Sequence, residues 1–130
     1  LENAEAIVFC PSNPFLSVDP ILALPDVREM IVASKVPRVV VSPIIGGRAV
    51  KGPAARIFET FAHKPPSALA VAEHYEGMAT HFVMDHEDEA SRDAIEAIGY
   101  QVLVTETLMT EDIHKIALST AVCKMAGVSI

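Results

Sequence analysis

The sequence contains no tryptophan, and aromatics make up only 5% of its 130 residues. Recognition of single-stranded nucleic acid by base stacking therefore has few platforms to use. Basic residues are also scarce, 10 against 17 acidic ones, for a formal charge of −7. A surface that binds a nucleic-acid backbone must be positive, so that class of partner is excluded. Small phosphate ligands, which a few local donors can hold, are not. The two cysteines, Cys10 and Cys123, stand far apart and in no CxxC pattern. They read as reduced, buried thiols of a cytoplasmic protein rather than as a disulfide framework. No apolar run approaches the roughly 18 residues that span a bilayer, so no membrane partner is expected. The chain opens Leu1-Glu2-Asn3, with neither an initiator methionine nor a signal-peptide pattern, and is expected to be the later part of a longer protein.

What is present is apolar bulk. Hydrophobic residues make up 51% and charged residues 21%, which excludes a disordered tail. A chain of this length fits one domain, here spanning residues 1–130, and buries roughly two-thirds of its extended surface. Its core must be built from Val, Ile, Leu, Ala and Met.

Strand-like and helix-like patterns alternate along the chain. Residues 6–10 (AIVFC) form a short buried strand that ends in Pro-Ser-Asn-Pro. Residues 17–24 read as a helical turn with Pro20 near its start, and Asp26 is placed to cap a second helix that runs to about Ala33. Residues 38–41 (RVVV) suit a strand buried on both faces, as in a parallel sheet. A loop follows over residues 42–52, and Pro53 opens a helix with Ala54, Ile57, Phe58 and Phe61 on one stripe. Ser67 caps the next helix, which Gly77 closes. Residues 81–85 form a third strand, residues 87–98 a helix stopped by Gly99, and residues 101–105 a fourth strand. Thr110 or a near neighbour caps a last helix to about Met125, with Ile113, Ile116, Ala117 and Ala121 on one face. This order predicts an α/β fold: a Rossmann-like, mostly parallel sheet with helices on both faces, three layers in all.

Ligands of such sheets bind beyond the carboxyl ends of the strands. After the first strand, Pro11 and Pro14 stiffen a turn that offers Ser12, Asn13 and, just behind, Ser17; the plainer reading is a turn with a helix cap. After the second come Ser42, Pro43, Gly46, Gly47, Arg48 and Lys51. Adjacent glycines let the backbone approach a ligand and expose amide donors, and Lys51 adds positive charge ahead of a helix N-terminus. The physics is that of a phosphate or diphosphate cradle, although neither a Walker A nor a GxGxxG motif is present. After the third strand, Asp85 to Glu89, with His81 and His86, could resemble a metal site, but acidic residues are also expected over the first turn of a helix. His74 is open to roles as base, ligand or structural helix end. No complete catalytic set is visible.

In order, PSNPFLSVDPILALPDVRE, VVVSPIIGGRAVKGPAA, SALAVAEHY, FVMDHED and VLVTETLM resemble the C-terminal half of the 2-phospho-L-lactate transferase family. These are the CofD and FbiA enzymes of deazaflavin coenzyme (coenzyme F-420) biosynthesis. The resemblance covers nearly the whole chain, and SPIIGGRAVKGP and PSNPFLSVDPIL are long and specific. Looser CofD-like relatives of the gluconeogenesis-factor type share the fold but lack the SPIxGGxAxKGP loop. The resemblance implies attack by the ribityl hydroxyl of the deazaflavin Fo on the phosphorus next to lactate in lactyl-2-diphospho-5′-guanosine, or on the enolpyruvyl equivalent, with GMP leaving. It implies Mg²⁺, held by aspartates of a preceding half, and small-molecule partners, with a homodimer compatible. It assigns substrate binding to Ser12, Asn13, Ser17, Ser42, Pro43, Gly46, Gly47 and Lys51. The alternative it leaves is a non-catalytic CofD-like regulator that binds a nucleotide-sugar-type ligand. One departure stands out: Asp19 occupies a position where many relatives carry glycine.

Overall fold

A computed structural model describes residues 3–49, 57, 60–61 and 63–129. Four parallel strands form the main sheet: β1 (Ile7–Phe9), β2 (Arg38–Val41), β5 (His81–Met84) and β6 (Gln101–Val104), in the order β1-β2-β5-β6. The register sets Val8 beside Val39, Val40 beside Phe82, and Val83 beside Leu103. A two-stranded antiparallel hairpin, β3 (Ile44–Ile45) and β4 (Arg48–Ala49), projects from the end of β2. The helices are α1 (Asp19–Leu22), α2 (Val27–Ala33), α3 (Ala68–His74), α4 (Arg92–Ile98) and α5 (Asp112–Met125).

Alternation along the strands divides the core in two. Val40, Phe82 and Met84 face one side, where they pack with Leu22 of α1, Ile31 of α2, Val71 of α3 and Ile95 of α4. Val39, Val41 and Val83 face the other side and meet Leu118 and Val122 of α5. The result is the expected three-layer α/β arrangement. Each strand of the main sheet lies beside its successor, so the crossovers advance in one direction. Right-handed crossovers that all advance one way deliver their helices to one face; α1–α4 share that face, and among the described helices α5 alone covers the other.

Several local expectations change. The first helix begins earlier than residue 17: Pro14–Val18 is a single π-type turn that leads into α1. Asp19 is an ordinary right-handed residue, at φ −55°, so carboxylate in place of glycine costs no backbone strain there. Asp26 precedes α2 but sits at φ 64° and makes no capping hydrogen bond, because the left-handed backbone turns its side chain away. The expected helix over residues 87–98 splits into a 3-10 turn, His86–Ser91, and α4. The expected cap of α5, at Thr110 or a near neighbour, is Glu111, in a box with His114. The proposed helix after Pro53 falls largely outside the described residues. Cys10 is free and exposed rather than buried, because it stands just past the end of the edge strand β1; Cys123, also free, is partly exposed.

The apolar face of α5 is the largest correction. Ile113 and Ile116 are 62% and 61% exposed, whereas Leu118 and Val122 are each 5% exposed. The helix carries apolar residues on more than one side, and only contact with the sheet selects one of them. No described helix is long and apolar enough to cross a membrane. We expect Leu118→Ala to destabilise the fold by about 2–5 kcal/mol. Ile116→Ala should stay within roughly 0.5 kcal/mol. Urea unfolding of the two variants checks the assignment.

Candidate functional site

The chain reversal after β1 is built by Asn13. Its side-chain Oδ1 accepts from the backbone N–H of Phe15 at 3.0 Å and of Leu16 at 3.2 Å, and its carbonyl accepts from Ser17 N–H at 2.9 Å. Asn13 thereby satisfies the first donors of the turn. Its amide Nδ2 and the hydroxyls of Ser12 and Ser17 have no partner among the described residues. Behind the turn, His74 Nε2 meets Asp19 Oδ1 at 2.9 Å, tying the end of α3 to α1. The edge of the His74 ring packs against Phe15, with centroids 4.8 Å apart, and Phe15 stacks on the exposed Phe61 at 5.7 Å.

The loop after β2 is a hairpin, not an open coil. Gly46 and Gly47 have φ of 54° and 73°, the left-handed pair that a two-residue type I′ turn demands. Ile45 pairs with Arg48 across it. Ser42 is buried, and its hydroxyl donates to the Ile44 carbonyl at 3.0 Å while accepting from Ile44 N–H at 3.2 Å. Ser42 therefore fixes the entry to the hairpin, with its hydroxyl proton committed to Ile44; Pro43 is buried beside it. Lys51 lies outside the described residues.

Of the two glycine amides expected as donors, that of Gly46 already has a partner. Gly46 N–H donates to Asp88 Oδ2 at 3.1 Å, and Arg48 pairs with Glu87 at 3.1 Å. A Cβ on Gly46 would meet only the carboxylate end of the half-exposed Glu87 side chain, which can shift, so it is the positive φ that favours glycine there. These acidic residues follow β5, in the segment where a helix start matched to the dipole was one sequence reading. Asp85 does cap the 3-10 turn, accepting from Glu87 N–H at 3.2 Å. It also reaches across to the exit of β6, accepting from the Thr107 backbone N–H at 2.9 Å and its hydroxyl at 3.1 Å. One acidic turn thus joins the glycine hairpin on one side to the β6 exit loop on the other.

The two aspartates titrate in opposite directions. Burial pushes the Asp85 carboxyl up, but hydrogen bonds from Thr107 and Glu87, helped by nearby His86, outweigh it and hold it below its ordinary 3.8. Burial pushes Asp88 up; the Gly46 amide opposes this, while Asp85 and Glu87 reinforce it, and the net shift is upward.

The metal reading does not fit this geometry. His81 stands at the start of β5 and Asp85 just past its end, and His81 Nδ1 is 2.7 Å from the Thr80 hydroxyl. Among the described residues no three His, Cys, Asp or Glu side chains gather where an ion could sit. From the sequence Thr107 stands out only as a polar residue at the carboxyl end of the sheet, and the bridging role of Asp85 and Asp88 was missed. The available signal was an aspartate placed directly at the carboxyl end of a buried strand.

The fold is that of a Rossmann-like α/β domain with polar turns at the carboxyl ends of its parallel strands, the place where such sheets commonly bind ligands. The signature described as 2-phospho-L-lactate transferase CofD matches residues 1–120, and the chain belongs to that family. The 2-phospho-L-lactate transferase of Methanosarcina barkeri is 38% identical over 110 residues, covering 85% of this chain and 35% of its own length. The phosphoenolpyruvate transferase of Streptomyces griseus is 36% identical over 110 residues, covering 84% of this chain and 34% of its own. For the 2-phospho-L-lactate transferase of Methanocaldococcus jannaschii the identity is 32% over 127 residues, 98% of this chain and 39% of its own. The chain therefore spans a little over a third of the length of the curated relatives it matches.

Removing the Asp85 carboxylate strands two buried donors on Thr107. We expect Asp85→Ala to cost about 1–3 kcal/mol at neutral pH. Because the folded value is lowered, the stability Asp85 contributes is complete above its ordinary 3.8 and lost as pH falls through the folded value. Denaturant melts across that acid range should show a shallower acid loss in the variant than in the parent.

Proposed function

We propose that the complete gene product is a cytoplasmic transferase of coenzyme F-420 biosynthesis. It moves a 2-phospholactyl or phosphoenolpyruvyl group from a guanosine diphosphate-linked donor to the ribityl hydroxyl of the deazaflavin Fo, releasing GMP. The observation that carries this reading is the family match along residues 1–120, which takes in both the PSNP turn and the SPIIGG hairpin at one edge of the sheet. Relatives of both kinds, named for phospholactate and for phosphoenolpyruvate, support the transfer while leaving the donor open.

In this reading the chain's own residues bind and orient. The turn of Ser12, Asn13 and Ser17 is held before any ligand arrives, and its amide and hydroxyls, without partners among the described residues, offer donors to a phosphate oxygen or a ribityl hydroxyl. Such preorganisation lowers the ordering cost of binding and keeps a hydroxyl in line with phosphorus. The hairpin offers the Gly46 amide and the Arg48 guanidinium for diphosphate charge. Mg²⁺, which the resemblance implies, would neutralise the diphosphate when bound. Asp85 is committed to Thr107 and Glu87, and the described residues hold no ion-binding cluster, so its ligands are sought elsewhere in the complete protein.

The test is turnover of Fo to its phospholactyl or phosphoenolpyruvyl product by the purified complete protein, with each guanosine-linked donor supplied in turn. No product with either donor would overturn the reading. Asn13→Asp sharpens it, because Asp keeps the oxygen that caps Phe15 and Leu16 but loses the free amide and adds negative charge. We expect the melting temperature to move by only a few degrees, since Asp caps about as well as Asn. Turnover should fall by about tenfold or more, as when an electrostatic donor is removed from a transferring group. Near-normal turnover would remove Asn13 from the site.

A further inference from the structure

We propose that the acidic turn after β5 is a displaceable stopper on the glycine hairpin: Glu87 and Asp88 occupy the donors that a diphosphate would use, and the ligand binds by exchanging with them. The proposal rests on the reading of the hairpin as a diphosphate-binding element. Its own basis is three contacts. Asp88 Oδ2 takes the Gly46 amide, Glu87 takes Arg48, and the Glu87 carboxylate fills the space above the Gly46 Cα. Two carboxylates thus stand where two oxygens of an anionic ligand would stand.

Both contacts are suited to release. The Arg48 and Glu87 side chains are 77% and 53% exposed, so water and salt screen their attraction. Asp88 is buried beside Asp85 and Glu87, and that crowding opposes its negative charge. An incoming polyanion would be repelled by all three carboxylates if they stayed in place. If Glu87 and Asp88 turn away, the Gly46 amide and Arg48 trade one oxygen partner for another and remain satisfied in both states. Such a hairpin has two arrangements of similar hydrogen-bond content, which a ligand can bias. The device also discriminates. A monocarboxylate merely replaces one carboxylate with another, whereas a diphosphate replaces two at once and brings more charge.

The test is calorimetric titration of the complete protein with inorganic pyrophosphate. Glu87→Gln with Asp88→Asn removes both charges while keeping size and an acceptor oxygen. We expect about tenfold tighter pyrophosphate binding by this double variant, as relief of like-charge juxtaposition. Glu89→Gln removes an exposed charge of the same turn that touches no hairpin group, and should leave affinity unchanged. Amide exchange at Gly46 should be faster in the ligand-free double variant than in the parent. The proposal is overturned by equal or weaker binding in a folded double variant, by the same gain in Glu89→Gln, or by no pyrophosphate binding in any form. If the double variant does not fold, Glu87→Gln alone carries the test, with about threefold tightening expected for one screened surface charge and no change overturning it. Turnover of Fo, measured separately, keeps the two readings apart. Tightening without turnover supports the stopper and sinks the transferase, and turnover without tightening does the opposite.

Discussion

The structure depends on the central strand pair, β2 against β5. Val39, Val40, Val41, Phe82, Val83 and Met84 are all at most 3% exposed, so both faces of these strands are covered. A parallel pair cannot close through a short turn, and it needs a crossover with a helix to return the chain. Two-sided burial of β2 and β5 therefore requires helices on both faces. It sends α1–α4 to one side and leaves α5 to seal the other. The carboxyl ends of the same strands then have nowhere to go but into a common rim of turns.

On that rim the chain has solved a problem of buried polarity. Asp85 and Asp88 are 7% and 9% exposed, and buried carboxylates are costly without donors. Asp85 is satisfied by three hydrogen bonds from two loops and remains a comfortable anion. Asp88 has the Gly46 amide and two acidic neighbours, and is a reluctant one. The same turn therefore holds the β6 exit firmly and the glycine hairpin loosely. That difference in grip follows from the number of donors each carboxylate meets.

The PSNP turn is rigid in another way. Proline on both sides fixes φ, and the side-chain oxygen of Asn13 accepts from the backbone N–H groups of Phe15 and Leu16. Family membership and the geometry meet here and at the hairpin, the two segments in which the resemblance to the phospholactate transferases is most specific. The polar groups on Ser12, Asn13 and Ser17 that have no partner among the described residues belong to the first of them.

The sequence by itself determined the four strands of the main sheet, several helix boundaries, the parallel α/β class and the family. These are local properties: a β-branched run such as residues 38–41 favours an extended chain wherever it sits, and Gly99, at φ 116°, stops α4 without outside help. The glycine pair reads in the sequence as a loop exposing amide donors, and its hairpin turn is visible only in the structure. Only the tertiary structure decided which donors at the rim were already taken. Gly46 and Asp88 are 42 residues apart and Asp85 and Thr107 are 22 apart, so their contacts exist only once the crossovers have set β2, β5 and β6 side by side. It also decided which face of α5 is buried. Ile113 and Ile116 are as apolar as Leu118 and Val122, and no periodicity within one helix can say which side will meet a sheet formed by residues far away in the chain.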